Sequence, residues 1–118
     1  MLLIVDHEEV VRRFCGAVLS LNGFTVALAA DAREAVEICQ QVTPKPDLAI
    51  IDALLPRVSL AHLREDLHRI HPGMQFLFMA GVPDSELKAR GLGDVPEELL
   101  LHKPFAPAEL LSRVQMFV

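Results

Sequence analysis

Asp47-Leu48-Ala49-Ile50-Ile51-Asp52 decides the fold. Four apolar residues run unbroken between two acids, and Pro44 and Pro46 interrupt the chain just before them. So short an all-apolar run, without alternation, suits a strand (β3, ending at Asp52) covered on both faces, as in a parallel sheet. Asp52 then stands where β3 ends, the edge at which open α/β sheets place their ligands. A carboxylate there is either a site or an unexplained solvation cost, and we read it as the site.

On the N-terminal side, Leu2 to Val5 is a second unbroken apolar run, β1, followed by Asp6-His7-Glu8-Glu9. Helix α1 runs from there to about Leu21. Its Val10, Phe14 and Val18, with Val11, Cys15 and Leu19 alongside, form one wide apolar stripe. Asn22-Gly23 caps it, and Phe24 to Leu28 is β2. Asp31-Ala32-Arg33-Glu34 has capping-box spacing, and Ala35, Val36, Cys39 and Val42 form the buried face of α2.

On the C-terminal side, Ser59 caps α3, whose inner stripe is Leu60, Leu63, Leu67 and Ile70, and His71-Pro72-Gly73 ends it. Gln75 to Met79 is β4. Pro83-Asp84-Ser85 starts α4, which Gly91 and Gly93 stop within about two turns. Glu98 to Leu101 is β5, and Pro107 opens α5, with Leu110, Leu111, Val114 and Phe117 facing inward. Five strands alternating with five helices call for a parallel sheet with right-handed crossovers.

The 118 residues suit one domain, and 52% hydrophobic with 23% charged is a globular composition. A net charge of -5 argues against direct nucleic-acid binding. No apolar run approaches the roughly 18 residues of a membrane span. Met1 to Val5 stops at Asp6, too short for a signal-peptide core. Cys15 and Cys39 fall at apolar helix positions and read as buried thiols of a reducing compartment. The expectation is a soluble, cytoplasmic domain, residues 1–118, cut from a longer protein.

Three strand ends carry polar groups on one edge: Asp6 after β1, Asp52 after β3 and Lys103 after β5. In a sheet ordered 2-1-3-4-5 these strands are central or nearly so. Two adjacent carboxylates repel, and they call for a metal ion, the lysine ammonium, or both. Oxygen-only ligands select a hard ion such as Mg²⁺, and such a carboxylate can also attack phosphorus and become an acyl phosphate. The plainer reading makes the acids helix caps and Lys103 a surface ion pair. Spacing alone does not separate the two.

The chain resembles the receiver domains of two-component response regulators. The resemblance rests on Leu2-Leu3-Ile4-Val5-Asp6-His7-Glu8, on Pro46 to Asp52 with Pro56 four residues on, and on Lys103-Pro104-Phe105. It implies a flavodoxin-like (βα)5 three-layer sandwich with a central parallel sheet of order 2-1-3-4-5. It also implies that Asp52 is the phosphoacceptor and that Lys103 contacts the phosphoryl group. Mg²⁺ would be held by Asp6, Asp52 and the backbone carbonyl of Leu54. The implied partners are a histidine kinase or phosphotransfer protein and an output domain in the same chain. A homodimer through α4–β5–α5 or another face is a further expectation, and no enzyme activity of its own is expected.

The departures matter as much. His7 stands where the family has a second, metal-ligating acid. A neutral imidazole is a poor Mg²⁺ ligand, though it suits Mn²⁺ or Zn²⁺, so Mg²⁺ binding should weaken. The preferred reading nevertheless turns His7 to solvent. Ala80 replaces the hydroxyl that binds the phosphoryl oxygen, Leu100 the switch aromatic, and Leu60 a loop glycine. Leu54 and Val82 stand at the positions flanking the hydrolytic water. From Val82 to Glu98 the chain departs from the family's α4 in length and glycine placement. These losses favour the alternative of a degenerate pseudo-receiver, a phosphorylation-independent protein-interaction module. His62, His68, His71 and His102 read as solvated surface. A small flavodoxin-like enzyme is disfavoured, because no glycine-rich loop follows β1.

Overall fold

β3 (Leu48–Asp52) lies at the centre of a five-stranded parallel sheet of order β2-β1-β3-β4-β5. The computed structural model describes the backbone of residues 1–118 and every side chain except that of Asp84. The other strands are β1 (Leu2–Val5), β2 (Val26–Ala29), β4 (Gln75–Ala80) and β5 (Leu100–His102). The helices are α1 (Glu9–Leu21), α2 (Ala32–Gln41), α3 (Leu60–Ile70), α4 (Asp84–Ala89) and α5 (Pro107–Gln115).

The unbroken apolar runs are explained by burial on both faces. Leu2 and Ile4 of β1, with Leu48 and Ile50 of β3, pack with Cys15 and Leu19 of α1 and Leu110 and Val114 of α5. Their neighbours Leu3, Val5, Ala49 and Ile51 pack on the other face, with Ala35 and Cys39 of α2 and Leu63 and Leu67 of α3. Burying each such aliphatic side chain stabilises the fold by roughly 1.5–3 kcal/mol.

Several boundaries differ from expectation, each for a local reason. The N–H of Phe24 donates to the carbonyl of Leu19, and that of Gly23 to Ser20, which closes α1 in a Schellman motif. Gly23 takes φ +89°, a conformation that costs glycine little. Phe24 is thus committed to the helix cap, and β2 starts only at Val26. Glu98 and Leu99, expected to open β5, instead lie in a 3-10 turn over Glu97–Leu99, with the N–H of Leu99 donating to the carbonyl of Pro96. Val10 was expected in the apolar stripe of α1 but is 80% exposed. The inner face of that helix is centred on Cys15 and Leu19, and Val10 lies off it.

The expected caps form. Asp31 accepts the N–H of Glu34, and Ser59 accepts that of His62. Leu60, at the place of the family's loop glycine, is the first residue of α3 and is buried.

Candidate functional site

Backbone pairing puts three polar residues at one edge of the sheet. The Asp6 N–H donates to the carbonyl of Ala29, fixing the residue just past β1. Asp52 closes β3 opposite Met79 of β4. The Lys103 N–H donates to the carbonyl of Ala80, which sets the lysine one residue past β5.

The side chains then converge. Lys103 Nζ lies 2.9 Å from Oδ2 of Asp6, 3.4 Å from Oδ1 of Asp52 and 3.7 Å from Oε1 of Glu8. Both aspartates are fully buried. Oδ1 of Asp6 accepts the N–H of Glu8 at 2.8 Å, and Oδ1 of Asp52 accepts the N–H of Leu54 at 3.0 Å. Arg12 donates to the main-chain carbonyl of Asp6 at 2.7 Å, tying α1 to the same loop. Among the described residues, every buried side-chain nitrogen and oxygen has a hydrogen-bond partner.

Burial pushes the Asp6 carboxyl above its usual value, and the nearby charge of Asp52 pushes the same way; the Glu8 N–H and Lys103 oppose both. Burial acts to lower the Lys103 ammonium, but hydrogen bonding to Asp6 and the charges of Asp52, Asp6 and Glu8 outweigh it, so its pKa is raised. The ammonium therefore stays charged, and it bridges two carboxylates that would otherwise repel.

His7 stays partly in solvent, yet its ring also reaches the acids, a contact that the expectation of a solvent-facing side chain did not include. Its Nδ1 lies 2.8 Å from Oδ2 of Asp52 and 3.8 Å from Oδ1 of Asp6, with 42% of the side chain exposed. Asp52 is the nearest anion, and a hydrogen bond to it is available from a ring that is still half in water. Glu8 had been given no role. It joins Asp6 and His7 in a group whose donor atoms lie within 4.8 Å of one another. The unbroken run of polar residues after β1 carried that signal, since each can bend back over the strand end.

Leu54 and Val82, the positions expected to flank a hydrolytic water, are half-buried. Ala80 and Leu100 lie buried in the α2–α3 side of the core. A groove of about 440 Å³, lined by Leu87, Leu92, Val95 and others, opens beside Leu100. Of the remaining histidines, His62 and His68 are exposed. His102 pairs with Glu97, and His71 lies 3.7 Å from Asp47. No helix among the described residues is long and apolar enough to cross a membrane.

A family model for the response regulator receiver domain matches residues 2–115. The response regulator MprA of Mycolicibacterium vanbaalenii is 31% identical over 114 residues, which are 97% of this chain and 48% of that protein. The sensor kinase CckA of Brucella abortus is 30% identical over 113 residues, 96% of this chain and 12% of that protein. The chain thus spans about half the length, or less, of these curated relatives. Among solved structures, the signal receiver domain of an HD domain-containing protein from Pseudomonas fluorescens has a TM-score of 0.81 at 28% identity, covering 98% of this chain and 91% of that one. A CheY-like receiver domain protein from Methanospirillum hungatei has a TM-score of 0.79 at 26% identity, with 98% and 90% covered.

Proposed function

The chain belongs to the response regulator receiver domain family, and from that membership we propose that Asp52 accepts a phosphoryl group from a histidine kinase or phosphotransfer protein to regulate an output. The observation that carries this reading is the buried Asp52 carboxylate, with Lys103 Nζ 3.4 Å from its Oδ1 at the carboxyl edge of the sheet.

An oxygen of Asp52 attacks phosphorus, the bond from phosphorus to the donor histidine nitrogen breaks, and an acyl phosphate forms. The donor ring leaves as a neutral imidazole when its other nitrogen carries a proton as the bond breaks. Catalysis in such a step is almost entirely positioning and charge stabilisation. Lys103 is already held at the site by Asp6, so its ammonium is in place for the incoming phosphoryl oxygens. Buried Asp52 is fixed by the N–H of Leu54, which limits the directions from which phosphorus can approach.

Receiver domains hold Mg²⁺ at an acidic pocket. The carboxylates of Asp6, Asp52 and Glu8 gather here, and a set of oxygen donors fits a divalent cation. A bound ion supplies charge neutralisation for the phosphoryl oxygens. Asp6 and Asp52 would hold it, with the carbonyl of Leu54.

Two observations favour a second reading, a degenerate receiver that binds protein partners independently of phosphate. His7 occupies Oδ2 of the acceptor, and Ala80 offers no hydroxyl to a phosphoryl oxygen. The two readings separate on beryllofluoride, a phosphoryl mimic, followed by fluorine NMR. A phosphoacceptor gives a bound signal that Asp52→Asn abolishes. A degenerate module gives none.

A further inference from the structure

The donor atoms of the pocket sort into two sets. Lys103 Nζ takes one oxygen from each aspartate, Oδ2 of Asp6 at 2.9 Å and Oδ1 of Asp52 at 3.4 Å. The other oxygen of each is the one nearest His7: Nδ1 lies 2.8 Å from Oδ2 of Asp52 and 3.8 Å from Oδ1 of Asp6. His7 Nδ1 therefore stands beside one oxygen of each aspartate that the ammonium does not use. Two ligands each about 2.1 Å from one ion, at octahedral or tetrahedral angles, stand about 3.0–3.4 Å apart. The two separations bracket that edge length. The carboxylate of Glu8 lies within 4.8 Å of the Asp6 and His7 donors and is more than half exposed, so it has room to turn in as a fourth ligand.

We propose that this pocket binds a divalent first-row transition-metal ion, with His7 Nδ1 and the carboxylates of Asp6 and Asp52 as ligands, and prefers it to Mg²⁺. The proposal rests on reading the pocket as the domain's metal site. Mg²⁺ is held through oxygen and gives up its waters reluctantly. Imidazole is a good ligand for zinc, copper, iron and nickel. The same side chain that removes a carboxylate from the Mg²⁺ set thus adds a nitrogen that those ions favour. Charge agrees, since Lys103 offsets one of the two buried carboxylates and leaves the other for the cation. Metal binding needs Nδ1 unprotonated, with the ring proton on Nε2. The other histidine–carboxylate pairs, His102 with Glu97 and His71 with Asp47, bring only two donors each. They are expected to bind more weakly.

The test uses the metal-free chain, with Zn²⁺ alone or Mg²⁺ alone titrated by calorimetry. Imidazole nitrogens are followed by NMR in the same titrations. Zn²⁺ is expected to bind at least about tenfold more tightly than Mg²⁺, with the His7 ring nitrogens moving before those of the other four histidines. His7→Ala is expected to remove that tight step, and His7→Asp to reverse the preference toward Mg²⁺. The NMR readout on the wild-type chain needs no variant to fold. Zn²⁺ that shifts His62, His68, His71 or His102 while His7 stays still overturns the proposal. So does equal Zn²⁺ affinity in folded His7→Ala. No phosphoryl donor is present, so failure here leaves the phosphoacceptor reading intact, and failure of Asp52 to load leaves the metal result intact.

Discussion

His7 Nδ1 sits 2.8 Å from Oδ2 of Asp52, so both oxygens of the acceptor carboxylate have partners. Oδ1 is held by the N–H of Leu54 at 3.0 Å and faces Lys103 at 3.4 Å. Attack on phosphorus needs a lone pair free along the line of approach. The half-exposed imidazole is the partner with solvent to move into, whereas Lys103 is only 18% exposed. Loading of Asp52 is therefore expected to wait on His7.

His7→Asp is expected to tighten Mg²⁺ binding by about tenfold or more, on the order of 1.4 kcal/mol, because an ionised oxygen ligand replaces an imidazole. It is also expected to speed loading from acetyl phosphate. Mg²⁺ titration of both proteins checks this, and equal affinities would place residue 7 away from the metal.

Asp6→Asn is expected to stabilise the metal-free domain at pH 7.5, raising Tm by a few degrees, about 1 kcal/mol. Burial, then the charge of Asp52, raises the Asp6 pKa above its ordinary value. The folded state thus takes up this proton at a higher pH than the unfolded state does. The cost is present above the folded pKa and disappears as pH falls toward the unfolded value of 3.8. The gain in the variant should shrink over that same descent. Thermal melts in chelator at several pH values measure it, and a gain that grows toward acid would contradict it.

The buried thiols give an alkaline counterpart. Burial, and then the charge of Asp6, pushes the Cys15 thiol up to about 12 from 9.0. A raised pKa contributes stability below the unfolded value that is lost as pH rises from about 9 toward 12. Cys15 and Cys39 are fully buried, so neither is expected to react with a thiol reagent at pH 8 in the folded domain. Stoichiometric labelling without denaturant would show that α1 or α2 opens readily.

The response to a phosphoryl mimic is expected to be local. Ala80 has no hydroxyl to follow a phosphoryl oxygen, and Leu100, packed in the core at 4% exposure, is no rotating ring. A ligand shifts a two-state element only by its differential affinity for the two states. Amide shifts should change around Asp52 and little across α4, β5 and α5. Widespread shifts on that face would overturn this expectation.

Once formed, the acyl phosphate is expected to persist. Hydrolysis needs a water placed in line with phosphorus, and the apolar side chains of Leu54 and Val82 cannot hydrogen-bond to one. Radiolabel is expected to leave Leu54→Asn about tenfold faster than wild type. Equal decay would remove the water-exclusion argument.

Much of this was legible in the sequence, and the exceptions have physical causes. The apolar runs at Leu2 to Val5 and Leu48 to Ile51 can be satisfied only by a sheet buried on both sides, which brings Asp6 and Asp52 to one edge. The start of β2 was not legible, because it turns on which partner the Phe24 N–H chooses. Nor was the start of β5, where the N–H of Leu99 turns back to the carbonyl of Pro96 instead of joining the sheet. At the site, the meeting of Asp6, Asp52 and Lys103 followed from strand order. The rotamer of His7 did not, since a one-dimensional pattern does not say whether a half-exposed ring faces water or the carboxylate beside it. Glu8 was legible only as one of a run of polar residues after β1, and loop geometry decides which of them turns back over the strand end.

Whether Asp52 takes a phosphoryl group is read from the intact mass of the domain. The domain is incubated with acetyl phosphate and a divalent ion, Mg²⁺ and Zn²⁺ being tried separately, beside Asp52→Asn. Wild type is expected to gain a single phosphoryl mass slowly, and Asp52→Asn to gain none. No gain with either ion, or equal gain in the variant, would contradict that expectation.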